Sequence, residues 1–224
     1  LVLACYADLR FAAAGAKLAA KIPAQPFVTA LSDANPRVRL QAVTALGRLG
    51  KAESASALLP LVADSDAMVS HLAVHALTQL RAADVCLAAF DSPGTANVLA
   101  GAGRALQAMH DARVVDSLIA RLNKVSDPAS REVILKTLAR LATREDDWNG
   151  KWWGTRPDTT GPYYKPVKWS ESEKIENVLR AELTKASTAA LPTLAMTLQR
   201  NRVDLPELTP IVLKLADSDA KFRT

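Results

Sequence analysis

The chain has 224 residues, of which 49% are hydrophobic and 23% charged, and it carries a formal net charge of +5. This balance is typical of a globular protein, and aromatic residues, at 5%, are too scarce for the surfaces on which sheets usually pack. The sequence lacks the run of about 18 apolar residues that a membrane-spanning helix needs. Cys5 and Cys86 match no zinc or haem-attachment spacing. Composition therefore favours helices, and we expect neither a metal nor another cofactor.

The positive charge is concentrated at the start of the chain. Residues 1–53 contain seven Lys or Arg and three Asp or Glu, which gives +4 of the total of +5. A basic module that binds nucleic acid is therefore one hypothesis. The remainder of the chain is close to neutral and has no sustained basic run, so a solvated helix face explains the charge better.

A helical unit recurs along the chain. An apolar stripe with helical spacing begins at Val38, recurs at Val69 and Val98, and has a looser fourth copy around Ile134 and Leu138. A shorter apolar stretch precedes most copies, at 27–31, 57–62 and 115–122. Residues that break and cap helices separate the two stretches: DANPR from Asp33, DSDAM from Asp64, DSPGT from Asp91 and SDPAS from Ser126. The repeating unit is thus helix, tight turn, helix.

Asp33, followed by Val38 and Arg39, resembles the D-x-x-x-x-V-R signature at the hairpin turn of HEAT repeats. The resemblance implies an all-α fold, a right-handed α-solenoid of HEAT-type hairpins. Residues 1–142 would hold about four hairpins and a partial N-terminal one, and 171–224 further helices. The ADSDA that begins at Ala216 repeats the one at Ala63, so we expect a turn at Asp217 and a repeat that is truncated at the C-terminus.

Residues 143–170 interrupt the repeat with a long insertion. It contains all four tryptophans and two of the three tyrosines, together with glycines and prolines that favour a defined course. Two interpretations remain open, because the rings can dock on the solenoid as a satellite core or stay exposed as a platform for a partner. Adjacent rings in an extended segment point in opposite directions, so one of each pair should be an anchor and the other more exposed. The candidate binding residues are Trp148, Trp152, Trp153, Arg156, Asp158, Tyr163, Tyr164, Lys165 and Trp169.

The segment WWGTRPDTTGPYYKPVKW, from Trp152 to Trp169, resembles one that recurs in large secreted bacterial proteins of the PVC type. Those proteins join a dehydrogenase-like propeller, a HEAT-repeat region and a c-type haem domain. The resemblance implies an extracytoplasmic setting and a role in bridging redox domains. Because the chain has no CxxCH motif, covalent haem is not expected on it.

Residues that could carry chemistry are sparse. His71 and His75 share a helix face but lack the glutamate of HExxH, and His110 is expected near a helix end, where a cation is favourable. The run from Glu145 to Asp147 is expected to be solvated, and the glycines of GAGR from Gly101 to serve close packing. The leading hypothesis is a non-catalytic scaffold that binds another protein or a neighbouring domain, with carbohydrate as a further candidate ligand. The alternatives are the nucleic-acid-binding module and an enzyme or ligand-binding domain that uses the aromatic loop as a pocket.

Overall fold

The computed structural model describes residues 21–91, 94–147 and 161–218. These residues form helical hairpins, which confirms the all-α class, and they divide into two compact units, Leu1–Met109 and His110–Thr224. No helix of the described part is long and apolar enough to cross a membrane.

The described part of the first unit contains three consecutive hairpins. Each pairs a short first helix with a longer second helix, and the first helix of the middle hairpin is α3 extended on both sides by 3-10 turns, Ala52–Ser54 and Leu59–Ala63. The helices are α1 (Gln25–Ala30), α2 (Pro36–Leu49), α3 (Ala55–Leu58), α4 (Ala67–Gln79), α5 (Ala83–Ala88) and α6 (Ala96–Leu106).

The second helices begin where the sequence places its breakers. The side chains of Asn35, Asp66 and Thr95 accept hydrogen bonds from backbone N–H groups in the first turns of α2, α4 and α6. These bonds satisfy donors that have no partner inside the helix. The predicted turns are therefore confirmed as the N-terminal caps of the second helices.

The predicted apolar stripes form the core of this unit. Leu46, Leu77 and Leu106, which occupy equivalent places in the three copies, are fully buried. The second helices pack side by side, α2 on α4 and α4 on α6. Gly101 lets α6 approach the preceding hairpin, because a Cβ on it would lie 2.5 Å from Cβ of Val62. The expected close-packing role of this glycine is thus confirmed.

The arginine of the HEAT-like signature links one turn to the next. Arg39 donates from Nε and Nη2 to the two carboxylate oxygens of Asp64 at 2.8 and 2.7 Å. It also donates to the carbonyls of Asp33 and Ala34. A two-pronged pair of this kind fixes geometry as well as charge, and the Arg39 guanidinium lowers the pKa of Asp64. Successive hairpins are therefore joined by an ion pair at the turn edge as well as by their core.

The second unit has the same plan. Residues 110–218 contain α7 (Ala112–Leu122), α8 (Pro128–Leu141), α9 (Ser172–Lys185), α10 (Leu191–Arg200) and α11 (Leu208–Ser218). The core between α7, α8 and α9 includes Leu118, Leu138 and Leu179, all with no exposed surface. Arg131 pairs with Glu182 of the next hairpin and donates to the carbonyl of Leu122 at 3.0 Å. It stands in the repeat where Arg39 stands in the first unit, so the inter-hairpin ion pair recurs.

Two features differ from the sequence-based prediction. A short antiparallel pair, β1 (Arg144–Glu145) with β2 (Pro166–Val167), lies between α8 and α9, where no strand was predicted. Asp217, expected in a turn, lies in the last turn of α11, because the helical hydrogen-bond pattern continues to Ser218. The rest of the expected turn, 219–224, lies outside the described residues.

Candidate functional site

The predicted binding residues divide between two parts of the insertion. Tyr163, Tyr164, Lys165 and Trp169 are described by the structure, and the three aromatic ones are half-buried. Both tyrosines belong to the half-buried class, and the prediction that one of the two rings is more exposed stays a prediction. The remaining candidates lie outside the described residues: Trp148, Trp152, Trp153, Arg156 and Asp158.

The two ends of the insertion are joined to each other. Arg144 and Glu145 pair with Val167 and Pro166 in the β1–β2 ladder. The Glu145 carboxylate accepts hydrogen bonds from the backbone N–H groups of Tyr164 and Lys165 at 2.7 and 2.6 Å. Charged acceptors make backbone hydrogen bonds about twice as strong as neutral ones. Glu145, expected to be solvated, therefore closes the base of the insertion.

An aromatic clasp, defined here as His110, Arg140, Tyr163 and Trp169, covers the C-terminal end of α8. Trp169 donates from Nε1 to the carbonyl of Leu141 at 2.7 Å, and the Tyr163 hydroxyl donates to the carbonyl of Arg140 at 3.3 Å. The last carbonyls of a helix have no partner within it, so these side chains act as its C-terminal cap. The returning arm of the insertion is thereby attached to α8.

Ring contacts complete the clasp. The His110 imidazole lies edge-on to Trp169, with centroids 5.3 Å apart and an interplanar angle of 78°. The Arg140 guanidinium carbon lies 4.3 Å from the centre of the Tyr163 ring, in cation–π geometry. Edge-to-face and cation–π contacts each add to the gain from burying the rings. Tyr163 and Trp169 therefore attach the returning arm of the insertion to α8 through both their rings and their polar atoms.

Burial is the main influence on His110. It lowers the imidazole pKa below its ordinary value of 6.5, and the nearby charges of Arg140 and Arg144 lower it further, while the contact from Nε2 to the Thr143 carbonyl, at 2.9 Å, opposes the shift. In the neutral ring, Nε2–H donates to that carbonyl. His110 follows the end of α6 closely in the chain, as predicted, but desolvation in the clasp disfavours the cation that a helix end would favour.

Acidification should loosen the fold through His110. Because the folded-state pKa is depressed, the unfolded chain binds the proton more readily once pH falls below about 6.5, and stability is lost from there down to the folded pKa. Thermal melts at pH 7 and pH 5 should show a lower melting temperature at pH 5, and a smaller difference for His110→Gln.

His75→Gln is the matched control, since it removes an exposed imidazole from α4. We expect it to keep the pH dependence of the wild type. Equal pH dependence in wild type and His110→Gln would show that His110 does not carry the effect.

The carboxylates after Glu145 are held in ion pairs. Asp146 pairs with Nζ of Lys165 at 2.6 Å, and Asp147 accepts from both terminal nitrogens of Arg144 at 3.0 and 3.1 Å. The hydrogen bond from Lys165 lowers the pKa of Asp146, and that from Arg144 lowers the pKa of Asp147. Both pairs are partly exposed, so they orient the base of the insertion more than they stabilise it.

The side chains of the clasp hold the backbone of the insertion against α8, and their contacts do not activate a nucleophile. The hydrogen-bonding atoms of Tyr163 and Trp169 are directed at main-chain carbonyls. His71 and His75 are exposed on α4, and no group of three His, Cys, Asp or Glu in the described part is placed to hold a metal ion. Burial raises the pKa of the Cys86 thiol to about 12, which leaves too little thiolate for nucleophilic chemistry at neutral pH.

Sequence reasoning missed three residues of this site: His110, Arg140 and Glu145. No local pattern distinguishes a histidine that will meet Trp169 from one at a free helix end. Arg131 could have been found, because the repeat spacing places it on Arg39.

Residues 24–92 match the family model described as HEAT repeats. No curated protein sequence is similar enough to this chain to count as a relative. As a class, HEAT and armadillo-like repeats are generally non-catalytic and serve as protein-interaction scaffolds.

Two solved structures are similar over most of their length. One is an engineered protein from a structural genomics programme, with 16% identity and a TM-score of 0.35 over 90% of this chain and 97% of that one. The other is a designed armadillo repeat protein in complex with the peptide (KR)4, with 14% identity and a TM-score of 0.40 over 89% and 91%. Both TM-scores are low, so neither structure defines the geometry of this chain.

Proposed function

We propose that this chain is a non-catalytic scaffold of HEAT-type hairpins whose aromatic-rich insertion contacts another protein or a neighbouring domain. The observation that carries the proposal is the closed base of the insertion, where the Glu145 carboxylate binds the backbone of Tyr164 and Lys165. A connection that only joined two hairpins would need neither the β1–β2 pair nor the aromatic clasp.

The anchored arm and the intervening stretch have different roles in this proposal. Tyr163 and Trp169 donate hydrogen bonds to backbone carbonyls of α8, so they are the fixed part of the insertion. The stretch 148–160 runs between the two joined ends and contains three of the four tryptophans. Tryptophan, tyrosine and arginine concentrate binding energy at protein interfaces. The contact residues are therefore sought among Trp148, Trp152, Trp153, Arg156 and Asp158.

The proposed setting is extracytoplasmic, within a bacterial multidomain protein that handles redox or carbohydrate substrates. It is supported by the resemblance of the Trp152–Trp169 segment to PVC-type proteins. A neighbouring domain of that type would be a natural partner, since interfaces between domains of one chain are small and polar and gain from a few aromatic contacts.

Site-specific photo-crosslinking in the source cells tests the proposal. A benzophenone amino acid replaces Trp153, and in a separate variant it replaces Lys124, an exposed residue of the turn after α7. We expect a crosslinked species of defined mass from position 153 and none from position 124. Glu145→Ala, which removes both carboxylate acceptors, should weaken the crosslink from position 153, because the base of the insertion is no longer closed.

The same crosslinked species from both positions would contradict a role for the insertion. So would its survival at full yield in the Glu145→Ala background, provided that circular dichroism shows that variant to be folded.

A further inference from the structure

The second helices of the first unit contain no carboxylate. The sequences of α2, α4 and α6 hold four arginines and two histidines between them, and not one Asp or Glu. The acidic residues of the described first unit all lie in turns or in the first segment of a hairpin, at Asp33, Glu53, Asp64, Asp66, Asp84 and Asp91. The carboxylates of the described first unit therefore lie in the turns and first segments of the hairpins, and none lies in the second helices.

The three second helices are aligned side by side. A Cβ on Gly47 of α2 would lie 3.1 Å from Cβ of Ala76 on α4, and the Thr78 hydroxyl on α4 lies 3.4 Å from the Ala105 carbonyl on α6. Equivalent turns of the three helices therefore lie next to one another. Their outward residues form one continuous surface, which we call the cationic face: Arg37, Gln41, Thr44, Arg48, Met68, His71, His75, Gln79, Asn97, Ala100 and Arg104.

Two arginines of this face, Arg37 and Arg104, differ from the arginine that holds the fold together. Arg39 is half-buried and forms an ion pair with the Asp64 carboxylate. Arg104 is exposed and contacts only a backbone carbonyl, that of Val62, at 3.4 Å, and Arg37 is exposed and forms no ion pair within the described residues. A surface that holds cations without carboxylates attracts an anionic partner.

We propose that the cationic face binds an acidic segment of a partner protein, laid across α2, α4 and α6. This proposal rests on the scaffold function proposed above. It goes beyond that function because it names a second binding surface and the charge of the partner that this surface binds. Guanidinium groups pair with Glu or Asp side chains. The amides of Gln41 and Gln79 offer hydrogen bonds to an extended backbone, and Met68, which is 58% exposed, offers an apolar contact.

A nucleic acid fits this face less well. Its binding depends on many phosphate contacts made by lysine and arginine, and single strands also stack on aromatic rings. The cationic face has three arginines, no lysine and no aromatic ring. An acidic peptide, which brings both carboxylates and apolar side chains, uses all of the chemistry present.

The test uses the whole 224-residue chain and fluorescence anisotropy with a labelled peptide of glutamate and leucine, which carries both carboxylates and apolar side chains, at about 0.15 M salt. We expect saturable binding that weakens at least about tenfold in the double variant Arg37→Glu with Arg104→Glu. The matched control, Lys124→Glu with Arg200→Glu, reverses two exposed charges in the second unit and should bind as the wild type does. Arg37→Gln with Arg104→Gln should give an intermediate loss, and it replaces the Glu pair if melting shows that pair to be misfolded.

Three results would overturn the proposal. They are the absence of peptide binding, an equal loss in the control pair, and tighter binding of a single-stranded oligonucleotide that depends on the same two arginines. Glu145→Gln should leave peptide binding unchanged, because it alters only the insertion. A failed crosslinking experiment on the insertion therefore does not decide this test, and a failed peptide test does not decide that one.

Discussion

Replacing Gly101 by alanine should destabilise the protein, although the same change at an ordinary helix position stabilises it by up to about 1 kcal/mol. Its new methyl group would lie 2.5 Å from Cβ of Val62 and 3.1 Å from the Val62 carbonyl. Overpacking a rigid core costs about 1 to 3 kcal/mol and occasionally more, and this contact is with a side-chain stem and backbone that cannot rotate away. We expect a loss of about 3 kcal/mol, measured by urea unfolding.

A double-mutant cycle separates this clash from other effects. Val62→Ala alone leaves a small cavity, but it also removes Cγ2, the Val62 atom nearest the new methyl group, while Cβ and the carbonyl remain. The pair should therefore recover part of the stability that Gly101→Ala loses, and not all of it. Gly47→Ala provides a graded comparison, because its nearest neighbour is the flexible amide oxygen of Gln79 at 2.9 Å, and its cost should be smaller. A stabilising Gly101→Ala would show that α6 does not approach the preceding hairpin so closely.

Replacing Trp169 by alanine should have an effect of similar size. The ring packs edge-on against His110 and caps α8 through its bond to the Leu141 carbonyl. Truncation of a buried tryptophan costs about 3 to 5 kcal/mol, and Trp169 is half-buried, so we expect about 2 to 4 kcal/mol. That corresponds to a fall in melting temperature of roughly 5 to 15 °C for a chain of this length.

Trp169→Phe divides this effect into its parts. It keeps a ring against His110 but leaves the Leu141 carbonyl without its donor, so it should cost about 1 to 2 kcal/mol. A change within about 0.5 kcal/mol for Trp169→Ala would mean that the ring is not an anchor and that the clasp is misassigned.

The hairpins could be predicted from the sequence because burial repeats with the helix. The equivalence of Leu46, Leu77 and Leu106 is visible as a period, and the capping residues Asn35 and Asp66 are chemically distinctive. Each of these signals is local, and each copy supports the others.

The candidate site could be predicted only in outline. The concentration of tryptophan identified the insertion, but the contacts that hold it join residues far apart in the chain, as in His110 with Trp169 and Glu145 with Tyr164. No period relates such pairs, and a carboxylate that binds two backbone N–H groups is indistinguishable in sequence from a solvated one.

Because the base of the insertion is closed, the length of the insertion can change in evolution without a change in the fold. Arg144 faces Val167 across two paired strands. The two ends of the insertion therefore join the hairpins at the same places, whatever residues lie between those ends. The entropic cost of closing a flexible loop rises only with the logarithm of its length, by about 0.6 kcal/mol for each doubling. Insertions, deletions or full replacement of residues 148–160 should therefore change the stability of the repeat core little.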